Sequence, residues 1–162
     1  MPSQGSRGQP TETVVARLDA ILRALCGQVM ASRVTLRLDA PERGFHVDDV
    51  VAEALTPGVR SLRHQTSIDQ RAAGTIRWLD RERRVLVQDD LRGVEPAPPP
   101  ELVELYGATA QMLGPLIRGD ALVGWMSVHY NDGPRRWTPA DVGALEAAVE
   151  ALHQALDASD VV

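Results

Sequence analysis

The stretch from Gln111 to Tyr130 constrains this chain more than any other. Two apolar-rich runs, Gln111–Ile117 and Ala121–Tyr130, flank Arg118-Gly119-Asp120, a turn whose glycine accepts positive φ. So short a connection leaves no room for a crossover helix, and the two strands pair antiparallel. Alternation along the second strand separates two faces. Leu122, Gly124, Met126, Val128 and Tyr130 form an apolar face suited to packing against helices. Val123, Trp125, Ser127 and His129 form a mixed face, apolar walls with a few placed polar groups, as small-molecule pockets have.

Helices bracket this hairpin. Val15, Leu18, Leu22, Leu25 and Val29 recur at steps of three and four, which predicts a helix over Thr11–Met30 with one apolar face, widened by Ile21. Cys26 lies in that helix and reads as a small buried hydrophobe. At the other end Thr138 is an N-cap, Pro139 fits the first helical position, and Asp141 follows three after the cap. Trp137 before the cap can staple onto Val142, and Val142, Leu145, Val149, Leu152 and Leu156 continue the stripe.

Between the terminal helices, Arg33–Asp39 alternates like a half-buried strand, and Val47–Leu55 reads as a second strand ended by Thr56-Pro57-Gly58. Its Asp48-Asp49 pair points to opposite faces and cannot converge on one substrate. A helix ends near Trp78-Leu79, Arg81–Arg84 reads as a solvated loop, and Val85–Gln88 is a short strand. The prolines at 96, 98, 99 and 100 make Leu91–Pro100 a surface loop, with a helix from Glu101 to Ala110 after it. The order helix, two strands, helix, strand, helix, hairpin, helix is α+β, one antiparallel sheet with helices packed on it. Each terminal stripe is too short for a coiled coil but suits a seam shared with a partner subunit.

Composition closes off other functions. The 162 residues, 44% of them hydrophobic, suit one globular domain. A net charge of −5 argues against nucleic acid as a partner. No apolar run reaches the roughly 18 residues of a membrane span. The polar, Gly/Pro-rich leader at 1–10 lacks a signal-peptide core, so a cytoplasmic protein is expected. All 17 basic side chains are arginine, which excludes Schiff-base chemistry and Gly-Lys phosphate loops. The single cysteine excludes an intramolecular disulfide or a multi-thiolate metal site.

The segment Met112–Leu152 resembles a GAF domain. MLGPLIRGDALVGWMSVHY is similar to that family's apolar-Pro-apolar strand, tight turn and apolar-Gly-apolar strand. PRRWTPADVGALEAAVEAL resembles the aromatic-Thr/Ser-Pro-acid opening of its closing helix, and RAAGTIRWLDRERRVLVQDDL its Gly-led helix and the strand ending in an acidic pair. The likeness spans Thr11–Ala158 and implies a domain at 11–158 between the leader and a tail at 159–162. It implies a GAF/PAS-like architecture: a central antiparallel sheet of about six strands, terminal helices on one face, a ligand pocket on the other. Members bind cyclic nucleotides, haem, bilins, oxo-acids or simple metabolites, and many dimerise through the terminal helices. Most are fused to an output domain. Here none is present, and Met1 and the polar tail Asp157–Val162 read as a whole chain, so the signal would pass to a separate protein partner.

Catalysis by the thiol relay of the family's free methionine sulfoxide reductase is not available. Ala73 stands where a cysteine is expected, the segment leading into Pro115 has no cysteine either, and Ser127 and His129 replace acidic residues. Cys26 lies outside the pocket region, so bilin attachment fails too, and no haem, bilin or metal is expected. No catalytic or metal residue is assigned. The candidate ligand-binding residues are Arg37, Arg77, Asp89, Tyr106, Gln111, Trp125, Ser127 and His129. Arg37 and Arg77 offer planar forks for a carboxylate or phosphate. His129 offers a neutral imidazole. The reading is a bacterial regulator, a homodimeric sensor for a small ligand, with anions among the candidates. Two alternatives stand beside it: an enzyme using His129 with Ser127 for acid–base chemistry, and a ligand-free dimerisation module.

Overall fold

The hairpin forms the middle of the sheet. In the computed structural model, which describes residues 9–65 and 68–160, β4 (Ala110–Arg118) and β5 (Ala121–Tyr130) pair antiparallel around Gly119, whose φ is 61°. β1 (Arg33–Leu38) pairs with the free side of β5, and β2 (Ala52–Leu55) pairs with β1. β3 (Leu86–Gln88) adds to the outer side of β4. The spatial order is β2-β1-β5-β4-β3, every pair antiparallel. The α+β architecture is as expected, with five strands among the described residues where about six were anticipated.

One face of the sheet is covered by α1 (Gln9–Gln28) and α4 (Pro139–Asp160). Leu18, Leu22 and Leu25 of α1, with Val29 just after it, meet Leu145, Leu152 and Leu156 of α4 over Val34, Leu36, Met112, Met126 and Val128 of the sheet. Each such fully buried side chain contributes about 1.5–3 kcal/mol. Val14, not Val15, completes the α1 stripe, and Val15 is only half-buried. The stripe is spent inside the domain, on the sheet and on α4. α4 opens with the reciprocal cap anticipated at Thr138: the Asp141 N–H donates to Thr138 Oγ1 at 3.1 Å, and the Thr138 N–H donates to Asp141 Oδ2 at 3.0 Å.

The other face is roofed by segments that the sequence reading drew differently. α2 (Gly74–Glu82) runs through Arg81 and Glu82, so half of the anticipated charged loop is helix. Arg83 caps it with a φ of 58°, and its guanidinium donates to the carbonyls of Asp80 and Asp120, bracing the hairpin turn. α3 is only Pro100–Glu104, because Gly107 at φ 73° turns the chain back toward β4. The expected strand from Val47 shrinks to Ala52–Leu55, and Asp48 and Asp49 are exposed outside it.

Two corrections concern the sheet. β1 is buried on both faces, not half-buried, since the roof covers Arg33, Thr35 and Arg37. Along β5 the alternation slips. Leu116 pairs with Gly124 but Ile117 with Leu122, which leaves Val123 as the bulged residue. Val123 therefore packs with the helix-side core, and Leu122 joins Trp125 on the roofed side.

Gly124 allows β1 and β5 to meet at this point. A Cβ on it would lie 2.2 Å from the Arg37 carbonyl oxygen and 2.9 Å from Leu38 Cα. Only a residue without a side chain permits that approach.

Candidate ligand pocket

Strand register assembles the roofed face into a grid. Arg33 lies opposite His129, Thr35 opposite Ser127, and Arg37 opposite Trp125. On the far side of β5, Gln111 pairs with His129 and Leu113 with Ser127. Thr35, Arg37, Gln111, Leu113, Trp125, Ser127 and His129 form the floor of a cavity of about 50 Å³. Its roof comes from Leu62, Gln65 and Ile68, then Gln70, Ala73, Thr75 and Ile76, then Pro99 and Leu102.

The polar groups of the floor are buried and specifically tied. Arg33 is fully buried and spends its guanidinium on three acceptors. Nε donates to the Arg60 carbonyl at 3.0 Å, Nη2 to the Tyr106 carbonyl at 2.9 Å, and Nη1 to His129 Nδ1 at 3.1 Å. A guanidinium only donates, so His129 Nδ1 accepts, and the imidazole is the neutral Nε2–H tautomer. Burial pulls the His129 pKa well below its ordinary value, and the charges of Arg33 and Arg37 pull it further. Burial also draws Arg33 down to about 10, against the opposing pull of Glu53.

Gln111 Nε2 donates to Gln88 Oε1 at 2.8 Å, and Gln88 Nε2 donates to the Pro96 carbonyl at 2.7 Å. The carbonyl can only accept, which orients both amides and leaves Gln111 Oε1 as an acceptor. Arg37 is 4% exposed and makes one hydrogen bond, from Nη1 to the Val47 carbonyl at 3.0 Å.

A latch ties roof to floor. Arg71, beside the 3-10 turn's Gln70, pairs with Asp39 just after β1, donates to the Leu122 carbonyl, and lies over the Trp125 ring at 5.8 Å. Burial pushes the Asp39 carboxyl up, but hydrogen bonds from Arg71 and the Val47 N–H outweigh it and hold the carboxyl below its ordinary value.

The structure thus gathers Arg37, Gln111, Trp125, Ser127 and His129 around one cavity and leaves three candidates elsewhere. Arg77 is exposed on α2, away from the cavity. Asp89 is exposed, and it braces the entry to α4. Its Oδ1 accepts the Trp137 N–H at 3.2 Å and its carbonyl accepts the Arg135 N–H at 2.8 Å. Tyr106 is buried with Leu62, Leu91 and Leu102 beside the cavity, and α3 stops before reaching it. Arg33 and Thr35 were passed over, although each shares its strand face with Arg37 at a step of two. Gln65, Gln70 and Thr75 carried no periodic signal, since they come from irregular roof segments and a helix start.

Among the described residues no three of His, Cys, Asp and Glu cluster to hold a metal ion, and no helix is long and apolar enough to cross a membrane. The chain's only cysteine, Cys26, lies in α1 on the opposite face of the sheet, its thiol donating to the Ala31 carbonyl at 3.3 Å. Burial raises its pKa, so it is an unreactive thiol.

Comparison with known proteins bears on this site. The GAF domain model matches residues 13–156. No curated protein matches. Among solved structures, the blue-light-absorbing form of the Thermosynechococcus elongatus PixJ GAF domain superposes with a TM-score of 0.71 at 17% identity, over 97% of this chain and 93% of that one. The photoproduct state of GAF3 from Slr1393 of Synechocystis sp. PCC6803 gives 0.68 at 15% identity, over 91% and 96%. A far-red-absorbing dark state with bound biliverdin IXa gives 0.59 at 16% identity, over 94% and 99%.

These neighbours overturn the expectation that bilins could be set aside, because the fold this chain shares is one in which a solved relative holds biliverdin. The donors on the floor suit a bilin's carbonyl and carboxylate groups. The thiol and the space do not fit as they stand: Cys26 is across the sheet, and about 50 Å³ is far below the several hundred that a drug-sized ligand occupies.

Proposed function

The chain belongs to the GAF domain family, and from that premise we propose that it is a sensor whose ligand sits between the roof and the Trp125-Ser127-His129 strip of β5. The observation that carries this reading is the set of unspent donors on the floor. His129 Nε2–H, the Thr35 and Ser127 hydroxyls and the outer nitrogens of Arg37 line the cavity without a partner among the described residues. A few polar groups placed among apolar walls and open to the cavity are what a small-molecule pocket presents to its ligand.

The same geometry weakens the enzymatic alternative. A general base needs an available lone pair, and His129 gives its own to Arg33. What remains is a fixed donor, suited to recognising an oxygen acceptor. The ligand-free dimerisation module would have no use for that donor.

Bilins belong among the ligands to be tried, on the strength of the solved neighbours. A bilin would be held without a thioether, and the roof would have to move away from the floor. Output would pass from the outer faces of α1 and α4 to a second copy of the chain or to a separate partner, in the cytoplasm. The test is a thermal-shift screen of metabolites and bilins, repeated on Trp125→Ala. A ligand that raises the melting temperature of the native chain and not of the variant supports the reading. No stabilising ligand in the whole panel would overturn it. Sedimentation at micromolar concentration tests the homodimer, which a monomer would contradict.

A further inference from the structure

The cavity floor holds more positive charge than its surroundings answer. Arg33 and Arg37 are both buried, and the buried carboxylate near them is Glu53. Glu53 is already engaged, accepting from the Ser61 hydroxyl at 2.5 Å and from the Leu62 N–H at 2.8 Å, with Arg63 at 3.9 Å. Arg33 spends its nitrogens on two carbonyls and an imidazole. Arg37 spends one nitrogen on the Val47 carbonyl, and its side chain lines the cavity with no described carboxylate paired to it. Asp48 and Asp49, whose charges act on it from a distance, are exposed. A guanidinium this deep without a bound counter-ion is costly, and removing charge from water is repaid only by a close partner.

We propose that the cavity is the seat of a small monoanion, a short carboxylate or a planar oxyanion of similar size, held between the Arg37 guanidinium and His129 Nε2–H. This rests on the sensor reading and names the ligand class for the same site. The Thr35 and Ser127 hydroxyls, partners in register between those two groups, supply the flanking donors. Size follows from the space. At about 10–15 Å³ per water, a volume of about 50 Å³ holds a few non-hydrogen atoms, as in formate, nitrate, acetate or glycolate. Geometry follows from the fork, which presents parallel N–H groups to two oxygens of one planar anion. Gln111 Oε1, the acceptor left on the β4 side of the floor, repels an oxyanion and welcomes a hydroxyl. It therefore orients the anion with its charged end toward β1 and ranks glycolate above acetate.

The experiment uses the full chain at constant ionic strength, with chloride replaced stepwise by formate, nitrate, acetate or glycolate. A saturable rise in melting temperature is expected for at least one of these anions, about 5–10 °C at a hundredfold excess over Kd. It should vanish in Arg37→Met and shrink in His129→Gln. In chloride alone Arg37→Met should melt no lower than the native chain, because it removes an unanswered buried charge, whereas a purely structural arginine would leave a less stable variant. Should Arg37→Met fail to fold, Thr35→Val carries the same comparison through the loss of one donor at nearly constant volume. If none of the anions stabilises the native chain while a bilin or a neutral metabolite does so through Trp125, the anion site is wrong and the sensor reading stands. If nothing stabilises it, both fall.

Discussion

His129 looks from its sequence context like a switch residue, and its surroundings make it the opposite. Imidazoles commonly titrate near neutrality, but this one is buried between two guanidiniums and stays neutral well below its ordinary value. The consequence is measurable. The unfolded chain takes up a proton at this residue near pH 6.5 and the native chain does not, so the unfolded state binds more protons as pH falls. Stability conferred at neutral pH is therefore lost on acidification, at about 1.4 kcal/mol per pH unit for this one group. Asp39, depressed by Arg71, adds a loss only in the acidic carboxylate range, so the two windows separate. Chemical denaturation between pH 7 and pH 5 should show a slope steeper by one proton for the native chain than for His129→Gln. Parallel curves would mean that the imidazole is free to protonate. The residue was legible as a pocket candidate because it alternates with Trp125 and Ser127. Its tautomer was not, since Arg33 is 96 positions away and reaches it only across the β1–β5 pairing.

At the scale of elements, the β1–β5 contact decides whether the floor exists. Gly124→Ala would place a methyl group 2.2 Å from the Arg37 carbonyl, against backbone on the neighbouring strand that cannot rotate away. Overpacking of this sort costs about 1–3 kcal/mol, and here the strands themselves must part. Gly124→Ala should lower stability by at least the upper part of that range and should also displace Arg37. A loss of anion-induced stabilisation beyond the fall in melting temperature would report the second effect. A variant as stable as the native chain would show that the sheet has slack at this point. The start of α4 offers a gentler check. Thr138→Ala removes one side of the reciprocal cap and should cost about 1 kcal/mol by thermal or chemical unfolding. A loss below about 0.3 kcal/mol would contradict the cap. These two elements also mark what sequence could and could not convey. The α4 start is written in adjacent residues, cap, proline and acid, and was read correctly. The bulge at Val123 was not, because alternation continues through it in the sequence and only the pairing of Leu116 and Ile117 reveals the slip. The roof was least legible, since its segments owe their position to the latch of Arg71 on Asp39 and Leu122 and not to any period of their own.

In the molecule as a whole, the sheet is a partition. On one side α1 and α4 close over an apolar core that includes Cys26; on the other lie the cavity and its donors. Among the described residues the two sides touch at the edge of the sheet, where Arg63 of the roof pairs with Asp19 of α1 at 3.9 Å, while the thiol of Cys26 stays on the helix side. If the roof opens far enough to admit a tetrapyrrole, the pigment meets arginine, imidazole and hydroxyl groups but no thiol, because the chain's one cysteine is behind the sheet with its thiol bonded to Ala31. Any bilin taken up should therefore remain extractable into acidified organic solvent, with no coloured or zinc-fluorescent band on a denaturing gel. Cys26→Ala should take up the same amount as the native chain, with at most a modest fall in melting temperature from the lost buried sulfur. Arg37→Met, in contrast, should take up less, since it removes the cation that faces the cavity. Pigment that survives denaturation, or uptake that depends on Cys26, would mean that the helix layer can swing clear of the sheet and that the two faces are not the separate compartments their packing makes them.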